Sequence, residues 1–437
     1  MTKEYHLNLS IDFGGSGSKV IYQFGGGTTF YMVLPPGLEE ISKEDFKRYK
    51  DLQVFRGDPR VQDEAWLEWK GNIYVVGSFA TEFAAIDRIK ERKYENALYK
   101  ALAIIGIIFE WYKIGGKKRS VSSPIVVLHL AMLLPWNEYN DNERFRKQLE
   151  LMLTRFKFRG VAWNVALETF LCQPEGAGLL AARLKQKDQS WFRQSNVALL
   201  MFGHRNTSCL YFERGIRKVG DSPMLGFSNF LDDVCSRVSG LERDRLAEAI
   251  FDSWYQSRSQ IYRETRTKHP EWEKCEAIQS LATARDEQLR ASEGRDIVKA
   301  IKDAIPSYWF KISRWLDATL PDFPDEVILG GGAAVFLEPE LEEYFRCQAS
   351  TYITRKTGER ALSYLTCSPF SNRSDLVWLG DIQAQMEGAF KFEYSQLSNQ
   401  LPFRLLDAFG MMNRLKDTVK HVKEAAQDGK SQTKQDT

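Results

Sequence analysis

The sequence has no long hydrophobic run, no close set of metal-binding cysteines and no excess of either charge. Its two most apolar stretches, Ala101–Phe109 and Ile125–Leu134, are far shorter than the ~20 residues a membrane-spanning helix needs, and they read as buried core. The six cysteines, at 172, 209, 235, 275, 347 and 367, include no CxxC pair and no close histidine partner. That argues against a zinc site and a disulfide framework, and suits a reducing cytoplasm. The opening MTKEYHLNLSID lacks an apolar core, so no signal peptide is expected. With 60 Lys+Arg against 58 Asp+Glu the net charge is only +2, which gives no global field for nucleic acid. DNA binding would have to be local or pass through a partner. What remains is a chain of 437 residues, 43% hydrophobic and 27% charged, a composition that excludes pervasive disorder and a length that suits two or three domains or one fold with two lobes.

The chain opens as a β-meander. Leu7–Ile11 and Lys19–Gln23 flank a glycine-rich turn, and Gly25-Gly26-Gly27 leads into Thr28–Val33. Trp66–Trp69 and Ile73–Val76 flank Gly71-Asn72 as a second hairpin. Glu95–Trp111 is apolar on most faces and predicts a buried helix; Ile125–Leu134 predicts a central strand ended by Pro135. Asn142–Phe156 has the spacing of an amphipathic helix, and Val161–Leu171 reads as one strand running into Gln173–Gly178 and a helix to about Gln186. Asn196–Phe202 and Ser208–Phe212 form a hairpin, Leu241 to about Thr319 is a charged helical region, and Asp325–Leu329 is a strand entering Gly330–Ala333. Gly429–Thr437 lacks aromatic and branched apolar residues and predicts a disordered tail.

Three glycine-containing turns follow apolar strands: Asp12–Lys19, Gly203–Thr207 and Gly330–Ala333. Glycine lets a backbone approach a phosphate or sugar closely, so each turn is a candidate binding element, and each alone is also common in plain β-structure. The first turn is neither the GxxxxGK of a P-loop nor the GxGxxG of a dinucleotide fold.

Taken together, the motifs resemble those of the actin, chaperone-ATPase and sugar-kinase superfamily, over about residues 5 to 415. Asp12-Phe-Gly-Gly-Ser-Gly-Ser-Lys19 is similar to its first phosphate motif, Leu199–Thr207 lies where the second belongs, Gln173–Gly178 resembles the first connecting helix, and Val327–Ala333 resembles the adenosine motif. Within the superfamily the MVLP segment, the PEGAG segment and Arg404–Gly410 resemble the ParM-like bacterial actins. The resemblance implies an α/β, actin-like fold of two lobes, each a mixed sheet flanked by helices, with nucleotide in the cleft between them. Lobe I would comprise 1–170 plus about 370–415. Lobe II would comprise 171–369, with a charged helical subdomain at about 240–320, and 416–437 would be a partly disordered tail.

By the same resemblance, ATP and Mg²⁺ are the expected ligands. Asp12 would hold Mg²⁺ through water; Gly14, Gly15, Ser16 and Gly17 would clasp the phosphates; and Lys19 would sit beside them as a point charge. Glu175 would position the attacking water, although a carboxylate at a helix start also simply faces the helix dipole. Gly203, Asn206 and Thr207 would form the second phosphate turn, and Gly330, Gly331 and Gly332 the turn against adenosine. One departure stands out. The second phosphate motif usually begins Asp-x-Gly, and here Met201 occupies the Asp position, where it cannot hold a hydrated Mg²⁺.

The implied function is a nucleotide-dependent, slowly ATP-hydrolysing filament protein. Its partners would be copies of itself and a small DNA-binding adaptor, as in plasmid partition, or it would serve as a cytoskeletal filament. Direct contact with nucleic acid or membrane is not expected, since Leu415, Val419 and Val422 make only a thin apolar stripe. The alternatives are a non-hydrolysing nucleotide-binding adaptor and a small-molecule kinase of the same fold. The aromatics Trp254, Tyr255, Tyr262 and Trp272 on the charged helical region are expected at filament contacts, with lobe packing as the competing use.

Overall fold

A computed structural model describes residues 4–53, 57, 59–85, 91–114, 126–264, 268–321, 324–345 and 374–432. The chain divides into two compact units, Met1–Gly178 with Asp407–Thr437, and Leu179–Leu406.

Alternating and continuous apolar residues build the first unit's main sheet. Strands β1 (Tyr5–Gly14), β2 (Gly17–Phe24) and β3 (Thr29–Leu34) form the antiparallel meander. A second, smaller sheet then begins with β4 (Leu38–Ile41), β5 (Ala65–Trp69) and β6 (Asn72–Val76). The main sheet resumes with β7 (Val126–Leu134), the small one with β8 (Phe156–Phe158) and β9 (Val161–Trp163), and the main one again with β10 (Val165–Pro174). Strand order in the main sheet is β10-β7-β1-β2-β3, with β7 parallel to both β1 and β10. The small sheet is β4-β6-β5-β8-β9, antiparallel throughout.

The main sheet is buried on both faces, which explains the near-continuous apolar run of β7. On one face Leu7, Leu9 and Ile11 share a core with Leu128, Leu130, Met132 and the helix Lys93–Trp111. Gly106 of that helix lies so close to the Phe158 ring that a Cβ there would meet the ring at 2.2 Å, so the small sheet and the helix are locked together through a glycine. On the other face Ala131 and Leu133 pack with Met411, Leu415 and Val419 of the C-terminal helix Leu401–Gln432.

In the second unit, β11 (Asn196–Phe202), β12 (Thr207–Glu213) and β13 (Ile216–Asp221) form another antiparallel meander. Strands β14 (Glu326–Gly330) and β15 (Asp375–Val377) extend it in parallel, giving the order β13-β12-β11-β14-β15. Order and strand directions repeat those of the first unit. Helices Phe227–Arg237, Arg243–Glu264 and Glu287–Thr319 accompany this sheet. The bidentate pair Arg183–Glu326, two bonds of 2.9 Å, ties the helix Ala177–Lys187 to the start of β14.

Several sequence expectations change. The helix expected over Asn142–Phe156 ends at Leu153, and Phe156 instead starts β8. The single strand Val161–Leu171 is two strands in different sheets, because the chain leaves the small sheet at Asn164. The helix Lys43–Leu52, capped by Ser42, has no fully buried residue, and only Phe46 and Tyr49 rest against the core of the small sheet, too short an apolar pattern to mark a helix. Residues 374–406 belong with the second unit rather than with lobe I, and the first unit's opening segment runs to Gly178. The C-terminal helix runs through 416–432 where a partly disordered tail is expected, since Leu415 and Val419 are buried against the sheet; residues 433–437 lie outside the described residues. Trp254 and Trp272 are core residues, 5% and 1% exposed, so neither is available as a filament contact; the side chain of Tyr262 lies outside the described residues.

Candidate functional site

The C-terminal ends of β1, β7 and β10 converge within the first unit. Antiparallel register places Asp12 of β1 opposite Lys19 of β2, and Lys19 Nζ donates to Asp12 Oδ2 at 3.1 Å. The turn between them is tight. Gly17 has φ +133°, and a Cβ on Gly14 would lie 2.1 Å from Lys19 Nζ, so only glycine at 14 lets the amine reach the carboxylate. Gly14 and Gly15 are half-buried and Ser16 is exposed at the tip.

Two further groups complete the cluster. Glu175 follows β10, with its amide donating to the Leu134 carbonyl at 2.9 Å. Lys93, at the start of the long buried helix, donates to Glu175 Oε1 at 2.5 Å and approaches Asp12 Oδ1 at 3.5 Å. All four side chains are at least nine-tenths buried. Burial alone would push the Asp12 carboxyl up, but the ammonium groups of Lys19 and Lys93 and their hydrogen bonds outweigh it and hold the group below the usual range. The sequence reading missed Lys93. The one local signal was a lysine opening an otherwise apolar helix.

A fifth charge lies behind these. Asp407 of the C-terminal helix accepts the Gly176 amide on Oδ2 and the Gly178 amide on Oδ1, both at 2.7 Å, and so caps the helix Ala177–Lys187. Its carboxyl is pushed up to about 7, first by burial and then by the charges of Asp12 and Glu175, against the pull of the two amides. The two helices cross with almost no side chain between them. A Cβ on Gly178 would lie 1.9 Å from the Asp407 carbonyl oxygen, and one on Gly410 would lie 2.0 Å from that of Gly178.

The cluster fits a magnesium-bound polyphosphate in charge and donor type. Two ammonium groups and two carboxylates neutralise one another in the structure. Phosphate oxygens would take Lys19 and Lys93, leaving the Asp12 and Glu175 carboxylates to a hydrated hard cation and a water.

In the second unit the equivalent hairpin is β11–β12. By register Met201 pairs with Ser208 as Asp12 pairs with Lys19, and Gly203 corresponds to Gly14. The charge pair is therefore absent from this hairpin. Thr207 is fully buried and its hydroxyl donates to the Leu225 carbonyl at 2.9 Å, while Asn206 Nδ2 donates to Ser208 Oγ at 2.9 Å. Thr207 thus ties the turn to the segment before helix Phe227–Arg237, while Asn206 bonds within the hairpin itself. Gly330 is the last residue of β14 and is buried; a Cβ there would meet Leu179 at 2.5 Å and the Met201 sulfur at 2.6 Å. The thioether thus fills space above Gly330. Gly331, with φ +83°, and Gly332 form the turn beyond it, and the aliphatic part of Arg404 lies over Gly332.

The repeated five-strand sheet, with the same order and directions and the same hairpin at the same place, defines the fold. It is actin-like. No protein-family model matches the chain, and no curated protein sequence does. Solved structures to which it is similar include the apo psk41 ParM protein, at 13% identity over 95% of this chain and 99% of that one, with a TM-score of 0.48. A 15-stranded ParM filament from Clostridium botulinum matches at 12% identity over 94% and 99%, also with a TM-score of 0.48. An archaeal actin homologue matches at 12% identity over 94% and 99%, with a TM-score of 0.47.

Proposed function

We propose that this chain is a nucleotide-dependent actin-like filament protein that binds ATP with Mg²⁺ and hydrolyses it slowly. The observation that carries the reading is the buried cluster of Asp12, Lys19, Lys93 and Glu175 beside the Gly14–Gly17 turn. Two buried ion pairs are a costly way to stabilise a fold, and they suit a site that exchanges internal partners for a charged ligand.

In this reading Mg²⁺ neutralises phosphate charge, Asp12 holds its water shell, and Lys19 and Lys93 bind phosphate oxygens. Glu175 orients a water toward the terminal phosphorus. That water's oxygen bonds to phosphorus, the bond to the bridging oxygen breaks, and ADP and phosphate leave. Positioning and charge account for most of catalysis in this chemistry. The Gly331–Gly332 turn, open at Gly332 except for Arg404, is the part of the adenosine motif left for a base or sugar. Gly330 serves packing.

Head-to-tail association of one chain is a heterologous contact that runs on into a filament. ATP favours it by selecting the assembling conformation. An adaptor carries any DNA, in keeping with the balanced charge. Sedimentation and electron microscopy with ATP·Mg²⁺, with ADP and without nucleotide test the reading. Filaments that need ATP support it, and a monomer under all three conditions across a range of salt defeats it. One observation favours a second reading, a binding adaptor that does not hydrolyse. Met201 stands where a carboxylate would be needed, and the Asn206 and Thr207 side chains bond within the protein, so the second hairpin offers no carboxylate to a hydrated cation. ATP binding without phosphate release would select that reading.

A further inference from the structure

Strands β1, β7 and β10 carry a second polar cluster toward their opposite ends. His6 Nδ1 lies 3.3 Å from His129 Nε2, with the two rings stacked at 5.6 Å and 7° apart in plane. Glu168 Oε2 lies 3.8 Å from the same His129 nitrogen. One donor atom from each residue falls within 4.8 Å of the other two. We propose that His6, His129 and Glu168 form a site for one divalent transition-metal cation of the zinc type.

Three features of the local structure support this. The first is spacing. Two Zn–N bonds of ~2.0–2.1 Å at the tetrahedral angle set their nitrogens about 3.3–3.4 Å apart, which is the separation of the two histidine nitrogens.

The second is the sheet itself. Register pairs His129 with Asn8 on one side and Thr169 on the other, and it shifts between Leu167 and Thr169. Glu168 is the extra residue of that bulge. A bulge re-aims a side chain, and here it brings the carboxylate to the histidine pair.

The third is the support of His129. The residue is 1% exposed, and its Nδ1 lies 2.9 Å from Thr169 Oγ1. A ligating imidazole holds its other nitrogen in such a bond; with Nδ1–H donating to the hydroxyl, the Nε2 lone pair faces the site. Two imidazoles and one carboxylate suit zinc and its neighbours and are poor partners for Mg²⁺ or Ca²⁺. Three protein ligands with Glu168 exposed leave a fourth position for water. Lys423 opposes a cation here, and it stands on the exposed end of the C-terminal helix. A metal here would tie three strands together far from the nucleotide cluster, so the site stands or falls independently of the proposed function.

The test is titration of the full, tag-free chain with Co²⁺, followed by absorbance, and with Zn²⁺ by calorimetry. The expected result is one equivalent, with the visible bands of a four-coordinate Co²⁺ that Zn²⁺ abolishes. H6A and E168A should lose those bands while keeping the circular-dichroism spectrum of the parent. T169V should weaken the affinity by about 10–100-fold, as loss of an orienting partner does. His129 is buried and its replacement risks the fold, so the decision rests on His6 and Glu168. Absence of four-coordinate bands in the parent, or bands that persist in both H6A and E168A, would overturn the assignment and leave a hydrogen-bonded histidine pair.

Discussion

The Lys93 ammonium bridges two carboxylates that lie far apart in the chain, donating to Glu175 at 2.5 Å and approaching Asp12 at 3.5 Å. Removing it leaves two buried negative charges facing each other. K93M should therefore lower stability by about 3–5 kcal/mol, the cost typical of breaking a buried pair from one side. Denaturant unfolding checks this, and a variant within experimental error of the parent would show that the cluster is solvated.

In the proposed function Asp12 is the residue that meets the hydrated cation. D12A should weaken nucleotide binding in the presence of Mg²⁺ far more than in its absence. Calorimetry with ATP, with and without Mg²⁺, measures the difference. Equal affinities in parent and variant under both conditions contradict the assignment.

Glu175 pairs with Lys93 and, in the proposed function, positions a water, so its variant must preserve shape. E175Q keeps an acceptor for Lys93. It should bind ATP like the parent and release phosphate roughly 10²–10⁴-fold more slowly, the range for a lost general base or water-positioning group. Single-turnover phosphate release is the measurement, and unchanged turnover reduces Glu175 to a partner for Lys93.

Asp407 makes stability depend on pH near neutrality. Its carboxyl has an ordinary value of 3.8 and is raised to about 7 in the fold. Between those values the folded chain binds the additional proton, so this group's contribution is complete below 3.8 and is lost as pH rises through about 7. The slope is on the order of 1 kcal/mol per pH unit. Asp12, held below its ordinary value, acts in the opposite direction and in a separate window, losing its contribution as pH falls below 3.8. Unfolding midpoints from pH 5 to 8 should thus fall in the parent and flatten in D407N.

Local signals and long-range ones fared differently. The Asp12–Lys19 hairpin was legible because strand alternation and glycine spacing are local, and antiparallel register then makes the two charges neighbours. Glu175 was legible as a carboxylate between a strand and a helix. Lys93 was not, since it is 81 positions from Asp12 and a lysine at a helix start reads as surface. The same holds for His6, His129 and Glu168, which only sheet register and a bulge bring together. Scattered cysteines speak only against a thiolate zinc site and carry no sign of that juxtaposition. In the second unit the sequence marked Asn206 and Thr207 as polar turn residues. Their hydroxyl and amide groups turn inward to satisfy the turn, a choice between ligand and backbone that spacing does not express.

The two equivalent hairpins form a natural control experiment. One closes around an aspartate and a lysine, the other around a methionine and a serine, in the same register and at the same place in the same sheet. The architecture tolerates a neutral pair, so the charged pair is not a requirement of folding. Exchanging the pairs asks directly what the charge is for. A chain carrying D12M and K19S should keep its first sheet and, if the proposed function holds, no longer bind ATP·Mg²⁺, and M201D with S208K would ask whether an already compatible frame accepts a charged pair.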